Sequence, residues 1–307
     1  MAKKTSLVES NNMITYMNDK IGYVPSAVNI GIVKMGKEGF LIDTGIDNSA
    51  MNKVLKEVDF QVAGAIITHH HADHMGGASK LYSLGVTNIY GPKGEVELIK
   101  DPMRGIPYSI FGGASPPKEL RNRYLEARSV VVLPATNASF EKTIQYVDTP
   151  GHSLSHAAYI IDDVLFGGDA VFTEETIDKY NLLYVIDPKK AIISLEELTQ
   201  KKFSAMIPGH GTATEDRKNS LDKIHATKEH YERTGERILK IIGEKMDFKE
   251  YPKKIMEELK VKETLKTRGA TQYFLFQTSI MSYLSNLMDE KKVKLEIDGY
   301  DLKIIAV

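Results

Sequence analysis

The chain has 307 residues, of which 42% are hydrophobic and 26% are charged, and its formal net charge at pH 7 is −1. This composition is typical of a globular protein, and the near-neutral charge gives no global preference for nucleic acid, membrane or polyanion. The absence of cysteine excludes disulfide bonds and thiolate metal ligands. No secretory signal follows the first lysines, and no run approaches the ~18 apolar residues of a membrane span, so we expect a cytoplasmic protein.

Short strands and helices alternate through the first two thirds of the chain. Strands are predicted at 27–45 (a pair joined by a turn at Gly36–Gly39), 62–69, 87–92, 129–134, 142–150, 157–162, 163–169 and 205–208. Helices are predicted at 49–58, 76–85 and 193–203. This alternation indicates a layered α/β protein. Residues 101–128 are rich in proline and glycine, which is typical of a functional loop, and we expect them to form a lid rather than core.

The pattern changes after about residue 217. Three helices are predicted at 221–242, 251–260 and 272–290. They are followed by alternating apolar residues at 293–297 and 302–304, with a hairpin turn at Asp298-Gly299. We therefore predict two domains, a main domain at 1–217 and a small helical, winged-helix-like C-terminal module at 218–307.

A dense group of histidines follows the predicted strand at 62–69. Residues 68–77 read THHHADHMGG and hold four of the nine histidines of the chain. A turn that leaves a buried strand can direct alternate side chains into one cavity, and imidazoles with a carboxylate suit zinc and similar divalent metals. The two glycines allow the backbone to turn tightly into the next helix.

Four further segments place a metal-competent side chain beside glycine at the end of a predicted strand. They are LIDTG with Asp43, TPGHS with His152, FGGDA with Asp169 and PGHG with His210. A single segment of this kind carries little information, but the four together with the histidine group predict one shared metal site.

In this set of motifs the sequence resembles the metallo-β-lactamase fold superfamily over about residues 12–216. The resemblance implies an α/β fold, namely an αββα sandwich with a dinuclear metal site along one edge of its two sheets. It also implies a ligand set: His69, His71 and His152 for one metal, Asp73, His74 and His210 for the second, and Asp169 as the bridge. Asp43 would hold the metal-binding loop in place without binding metal itself. Asp73 is expected to be catalytic as well as a metal ligand. His70 is at the variable position of the motif and is expected to bind no metal.

The expected cofactors are two divalent ions, zinc first, with manganese or iron as alternatives. Such a metal lowers the pKa of bound water to about 7, which supplies a nucleophile without a serine or cysteine. The resemblance therefore implies a hydrolase that acts on an ester, thioester, lactone or phosphodiester. The absence of cysteine and the presence of Asp169 argue against a true β-lactamase.

Several alternatives remain open at this point. They are an endoribonuclease on the same scaffold, an iron-dependent oxidoreductase similar to persulfide dioxygenases, and a non-catalytic winged-helix binding protein. The most basic segment, at 248–268, carries a net charge of only +3, so a small-molecule substrate is favoured over nucleic acid. We expect no membrane partner, and a homodimer remains an open alternative.

Overall fold

Two β-sheets face each other across a shared apolar layer. The structure is a computed structural model that describes residues 13–121, 133–135 and 144–307. Its strands are β1 (Thr15–Tyr16), β2 (Ile21–Val24), β3 (Ile30–Met35), β4 (Glu38–Ile42), β5 (Gln61–Ile66), β6 (Ile89–Gly91), β7 (Leu133–Pro134), β8 (Ile144–Asp148), β9 (Ala157–Ile161), β10 (Val164–Gly168), β11 (Ala205–Pro208), β12 (Lys245–Asp247), β13 (Val293–Asp298) and β14 (Asp301–Ala306). The first sheet has the order β1-β2-β3-β4-β5-β6-β7, and the second has the order β11-β10-β9-β8.

The inner layer is built from alternate residues of both sheets. Phe40 and Ile66 of the first sheet pack in one buried cluster with Tyr159 and Phe166 of the second. Gly31 on β3 is required here, because a Cβ at this position would lie 2.4 Å from the Phe166 ring. Strands β9 and β10 are buried at every residue, and β3 and β4 at four consecutive residues each, which is the pattern of sheets with both faces covered.

Helices cover the outer face of each sheet. They are α1 (Asn48–Glu57), α2 (Ala72–Met75), α3 (Ala78–Ser83), α4 (Val96–Lys100), α5 (Ile106–Ile110), α6 (Glu174–Tyr180), α7 (Pro188–Gln200), α8 (Arg217–Ile242), α9 (Tyr251–Glu258) and α10 (Lys262–Asp289), with short 3-10 turns at Pro102–Arg104 and Lys118–Leu120. Helices α1 and α3 pack on the first sheet, and α7 to α10 share a cluster with the second. This confirms the αββα arrangement.

The C-terminal region combines three helices with a third sheet of order β12-β14-β13. Its apolar residues lie in the same buried cluster as those of β8 to β10 and α7, so the region packs closely on the second sheet. The hairpin loop is Gly299–Tyr300, one residue later than expected, because Asp298 pairs with Asp301. Gly299 has φ of +64°, as the first loop residue of a type II′ turn requires. The division at 217/218 and the winged-helix description stay predictions.

The segment expected to be a lid is folded where the structure describes it. Pro102, Ile106 and Ile110 are buried, and two helical turns span 102–110. This part is therefore packed against the body of the protein, which the proline and glycine content did not indicate. Residues 122–128 of the expected lid and 129–132 of a predicted strand lie outside the described residues. Among the described helices, none is long and apolar enough to cross a bilayer.

Candidate metal centre

The histidine motif occupies the loop between β5 and α2. His69 and His71 lie in the loop, while Asp73 and His74 lie in the first turn of α2. The glycine that follows allows a close approach of backbones: a Cβ at Gly76 would lie 2.1 Å from the carbonyl oxygen of Ile46. The small residue therefore lets the motif loop pack against the chain that enters α1.

The other predicted ligands arrive from the second sheet. His152 follows β8, Asp169 follows β10 and His210 follows β11, and all three meet the motif loop at one edge. Three groups have ligand atoms that all lie within 4.8 Å of one another: His69, His71 and His152; His69, His74 and Asp169; and Asp73, His74 and His210. The seven predicted ligands thus form one continuous cluster.

Asp169 is at the centre of this cluster. Its Oδ1 lies 3.2 Å from His74 Nε2, and its Oδ2 lies 3.4 Å from Nε2 of both His152 and His210. One carboxylate therefore contacts members of both predicted ligand triplets, which is the position that a bridging ligand requires.

Several cluster atoms are buried without a hydrogen-bond partner. Within the described chain they are Nε2 of His69 and of His71, together with His74 Nε2 and Asp169 Oδ1, which lie 3.2 Å apart without hydrogen-bond geometry. Burial of a polar atom without a partner costs about 1–3 kcal/mol, so four such atoms at one place require an explanation. Imidazole nitrogens and a carboxylate oxygen are donor atoms that suit a divalent metal, and the residues present therefore fit such an ion.

Four of the histidines are held by their second ring nitrogen. Nδ1 of each contacts a fixed oxygen: Thr68 Oγ1 for His69 (3.0 Å), Asp43 Oδ2 for His74 (2.7 Å), the Tyr184 carbonyl for His152 (3.1 Å) and the Ala27 carbonyl for His210 (2.7 Å). These contacts leave Nε2 directed into the cluster. Metal-binding histidines are oriented in this way by outer partners.

The charges of the cluster are set by burial and by its carboxylates. Burial lowers the pKa of His69, His71 and His152, which keeps these imidazoles neutral. Burial also opposes the charged form of Asp169, but the neighbouring His210 and His74 hold the pKa of this carboxyl well below its usual range. Against the effect of burial, the carboxylates of Asp169 and Asp43 raise the pKa of His74, and those of Asp169 and Asp73 raise the pKa of His210 in the same way. Metal binds neutral imidazoles, so an ion at this cluster would take the place of the protons on His74 and His210.

Comparison with known proteins now identifies the family. A profile of the metallo-beta-lactamase superfamily matches residues 23–210, which is more than half of the chain. The chain belongs to this superfamily. Enzymes of the superfamily use divalent metals, typically zinc.

Two hydroxyacylglutathione hydrolases are similar in sequence to about half of this chain. The chain is 30% identical over 163 residues to a hydroxyacylglutathione hydrolase of Shewanella baltica (strain OS223), which covers 52% of this chain and 51% of that protein. A protein of the same name from Shewanella loihica is 32% identical over 174 residues, or 56% of each. The chain thus spans about half the length of the curated relatives it matches.

Solved structures support the fold over most of the chain. A metallo-beta-lactamase family protein from Thermus thermophilus has a TM-score of 0.68 at 20% identity, with 92% of this chain and 97% of that protein covered. A beta-lactamase domain protein from Burkholderia ambifaria has a TM-score of 0.63 at 16% identity, with 96% and 95% covered. At these identities the likeness shows the fold alone.

Glu95 is a buried residue of the site that the sequence did not reveal. One of its carboxylate oxygens accepts hydrogen bonds from Ser153 Oγ and the Ser155 amide, both at 2.8 Å. The other accepts from the His70 amide at 3.1 Å and contacts His70 Nδ1. Glu95 therefore joins the motif loop to the loop that carries His152. The sequence around Glu95 contains no motif that would mark it as a site residue, because the other charged residues of α4 and of the segment before it are ordinary surface residues.

His70 and His156 also have structural contacts that differ from the simple expectation. His70 is in none of the three ligand groups, but it is buried between Glu95 and Gly105. His156 accepts a hydrogen bond from the Asp169 amide at 3.0 Å and contacts Thr149 Oγ1 at 2.7 Å. Both residues therefore support the loops that carry the predicted ligands.

The accessible side of the cluster lies at Asp73 and His210, whose side chains are 33% and 26% exposed. Tyr180 is near enough to Asp73 and Asp169 for their charges to act on its hydroxyl group. Burial raises the pKa of Tyr180, Arg268 opposes the shift, and the carboxylates of Asp73 and Asp169 add to it. The guanidinium of Arg268 lies 5.2 Å from the centre of the Tyr180 ring. An aromatic and cationic rim therefore adjoins the opening of the cluster.

Proposed function

We propose that this protein is a metal-dependent hydrolase whose seven clustered histidines and aspartates bind two divalent ions, with zinc as the favoured metal. The observation that carries the proposal is that four buried ligand atoms, on His69, His71, His74 and Asp169, lie together and that no hydrogen bond of good geometry satisfies any of them. Hydrogen bonds to Nδ1 orient His69 and His74 with Nε2 towards the cluster, which supports coordination of a metal ion by these atoms. Membership of the superfamily supports the same proposal.

The ligands divide into two triplets joined by a carboxylate. His69, His71 and His152 would hold one ion, and Asp73, His74 and His210 would hold the other, with Asp169 between them. Metal in such a site lowers the pKa of bound water from 15.7 to about 7, which makes a nucleophile available at neutral pH.

The chain's own residues orient the site and limit its access to solvent. His69 and His74 are fully buried, which restricts water to the side of Asp73 and His210. A substrate must therefore approach from that side, and we propose that Asp73 then lies beside its reacting bond. This position is the basis for the catalytic role that we propose for Asp73.

We propose a thioester as the substrate class, supported by the named relatives. Two proteins named hydroxyacylglutathione hydrolase share 30–32% identity with about half of this chain. The rim of Tyr180 and Arg268 suits a substrate that carries a carboxylate, because arginine pairs with carboxylates in a bidentate geometry. A small anionic thioester combines both features.

The test is a substrate panel with protein of measured metal content. A hydroxyacyl thioester of glutathione is compared with an oxygen ester, a lactone and a phosphodiester of similar size. We expect the highest kcat/KM for the thioester, and a loss of about 10²-fold or more in Asp73→Asn. Asp59→Asn, which changes an exposed carboxylate paired with Lys34, is the matched control and should keep full activity.

Each alternative gives a distinct result in the same panel. Protein with two ions per chain that leaves the thioester intact but hydrolyses another substrate would retain the metal site and reject the substrate class. Cleavage of single-stranded RNA that disappears in Asp73→Asn would establish the endoribonuclease instead. Iron content together with oxygen consumption would establish the oxidoreductase.

A further inference from the structure

The edge strand β13 has a sequence that is complementary to itself. β13 lies at one edge of the sheet β12-β14-β13, and no strand of the described chain pairs with its outer side. Residues 292–298 read KVKLEID, so lysine precedes the central Leu295 at 292 and 294, and acidic residues follow it at 296 and 298. The charges thus change sign at Leu295, while apolar residues occupy every second position.

When two identical strands pair antiparallel, each residue before the central position faces the residue at the same distance after it in the other copy. With Leu295 opposite its own copy, Lys294 meets Glu296 and Lys292 meets Asp298, while Val293 meets Ile297. Every charged position then faces the opposite charge, and every apolar position faces an apolar one. Opposite charges directly across an antiparallel pair are stabilising, whereas like charges are destabilising.

The backbone presents its free groups in the same register. The Val307 amide donates to the Lys292 carbonyl at 3.0 Å, so Lys292 directs its polar backbone groups inward, towards β14. Because this direction alternates along a strand, the N–H and C=O groups of Val293, Leu295 and Ile297 point outward from the sheet. Leu295 would therefore form a hydrogen-bonded pair with its copy, and Val293 would form one with Ile297.

Exposed apolar side chains mark the same strand. Leu295 is 36% exposed and Ile297 is 70% exposed, although both lie on the face that includes the buried Val293. Edge strands that only need protection carry charges that repel a second strand. The reversal of charge sign in β13 does the opposite, because it makes a second copy the best-matched partner.

We propose that this protein forms a symmetric dimer in which β13 pairs antiparallel with β13 of a second copy, centred on Leu295. The two sheets then become one continuous six-stranded sheet. This interface lies in the C-terminal region and is independent of the metal cluster.

The first experiment is a charge exchange measured by sedimentation equilibrium over a range of concentrations. We expect a concentration-dependent dimer for the natural chain. Lys294→Glu and Glu296→Lys should each weaken dimerisation by about tenfold or more, because each places like charges opposite one another twice per dimer. The double variant should restore the natural affinity.

A mixture of the two single variants separates pairing across the interface from the loss of a contact within one chain. Lys294 lies 3.5 Å from Glu296 of the same chain, and both single variants lose that contact. Their equimolar mixture should nevertheless form a heterodimer, since each acidic pair then faces a basic pair. A natural chain that stays monomeric throughout, or a dimer that neither variant weakens, would overturn the proposal.

Cross-linking gives a second test that does not depend on these variants. The chain has no cysteine, so Leu295→Cys introduces a single thiol. The copies of residue 295 would be about 5.5 Å apart between Cα atoms, which suits a disulfide. Ile297→Cys is the matched control, because it is more exposed but would be separated from its copy by roughly 14 Å along the strand. Faster cross-linking at 297 than at 295 would contradict the proposed register.

Discussion

Asp43 connects an unusual backbone conformation to the orientation of a predicted ligand. It has φ of +60° in a buried position, its carboxylate accepts from the Thr68 amide at 2.7 Å, and it contacts His74 Nδ1 at 2.7 Å. Asp43→Asn retains the shape and tolerates this φ but removes the charge behind His74. We expect the metal affinity to fall about 10–100-fold, as measured by calorimetric titration. Unchanged affinity in Asp43→Asn would show that the carboxylate is dispensable, and Asp59→Asn is the control.

Glu95 should make the stability of the protein sensitive to acid. Burial alone would raise its pKa, but contacts with His70, Ser153 and the Ser155 amide lower it to about 2, from a usual value of 4.5. A carboxyl with a lowered folded-state pKa stabilises the protein above its unfolded-state value and loses that contribution as the pH falls through the folded-state value. The window therefore runs from about pH 4.5 down to about pH 2.

The corresponding variant is Glu95→Gln. At neutral pH it should lower the free energy of unfolding by about 1–3 kcal/mol, because the charged partner of four contacts is lost. As the pH falls from about 4.5 to about 2 the stability of the natural chain should approach that of the variant, because the unfolded chain binds the proton first and the folded carboxylate is protonated only near pH 2. Urea titrations across this range provide the measurement, and a constant difference between the two proteins down to about pH 2 would contradict the assignment.

For individual residues of the site, the sequence predicts those that belong to a motif but not those that lie outside one. The four histidines at 69–74 are recognisable because their spacing is itself the signal. Glu95 and His156 have no such spacing, and their roles follow from contacts with residues 13–60 positions away along the chain. These contacts exist only after the two sheets have packed.

Among the elements, α7 and α8 are joined by one arginine. The guanidinium of Arg217, at the start of α8, donates to the carbonyls of Thr199, Lys201 and Phe203 near the end of α7. Lysine keeps the charge but cannot form this fork. Arg217→Lys should therefore reduce the free energy of unfolding by about 1–3 kcal/mol in urea titrations. The exposed neighbour variant Lys218→Ala should have no such effect, and equal stability of both variants would contradict this role.

A break in α10 directly follows Arg268, which lies over the ring of Tyr180. Gly269 has φ of +71° inside α10, and the segment before it contacts α6, where Thr264 Oγ1 donates to the Lys179 carbonyl at 3.2 Å. If Arg268 pairs with a carboxylate of the substrate, Arg268→Ala should raise KM about tenfold for an anionic thioester and leave kcat nearly unchanged.

The control for this prediction is Lys266→Ala, which removes a nearby exposed cation that pairs with Glu263 instead. Steady-state kinetics at low and moderate salt provide the measurement. A fall in kcat with constant KM in Arg268→Ala would show that the arginine supports the cluster rather than the substrate.

Element prediction from the sequence succeeded where a pattern was long. The periodic stretches of α8 and α10 and the alternating residues of β13 and β14 are present in the structure. Short elements such as α2, α6 and β12 were missed, because a few residues carry no readable period and their conformation depends on tertiary contacts. The predicted third helix began at 272, so the helical segment at 262–268 that precedes the break at Gly269 was missed.

For the whole molecule, the sandwich could be predicted through a resemblance rather than through composition. Periodicity shows that the helices after residue 217 have an apolar face, but it does not show which surface covers that face. The structure places these helices on the second sheet, where Tyr231, Ile280 and Leu284 share a cluster with Leu165 and Leu195. The approach of α10 to the metal cluster follows from this packing and from no local signal.

Seven residues from both sheets should together form one site for two metal ions. The most direct test of this site is the metal content, by mass spectrometry, of protein loaded with zinc or manganese and freed of excess ion. We predict about two divalent ions per chain for the natural protein and for Asp163→Asn, which changes an exposed aspartate in the turn before β10, at the end of that strand opposite to Asp169. Asp169→Asn should retain at most one. A natural protein that binds no more than a trace of either metal would contradict the proposed metal centre.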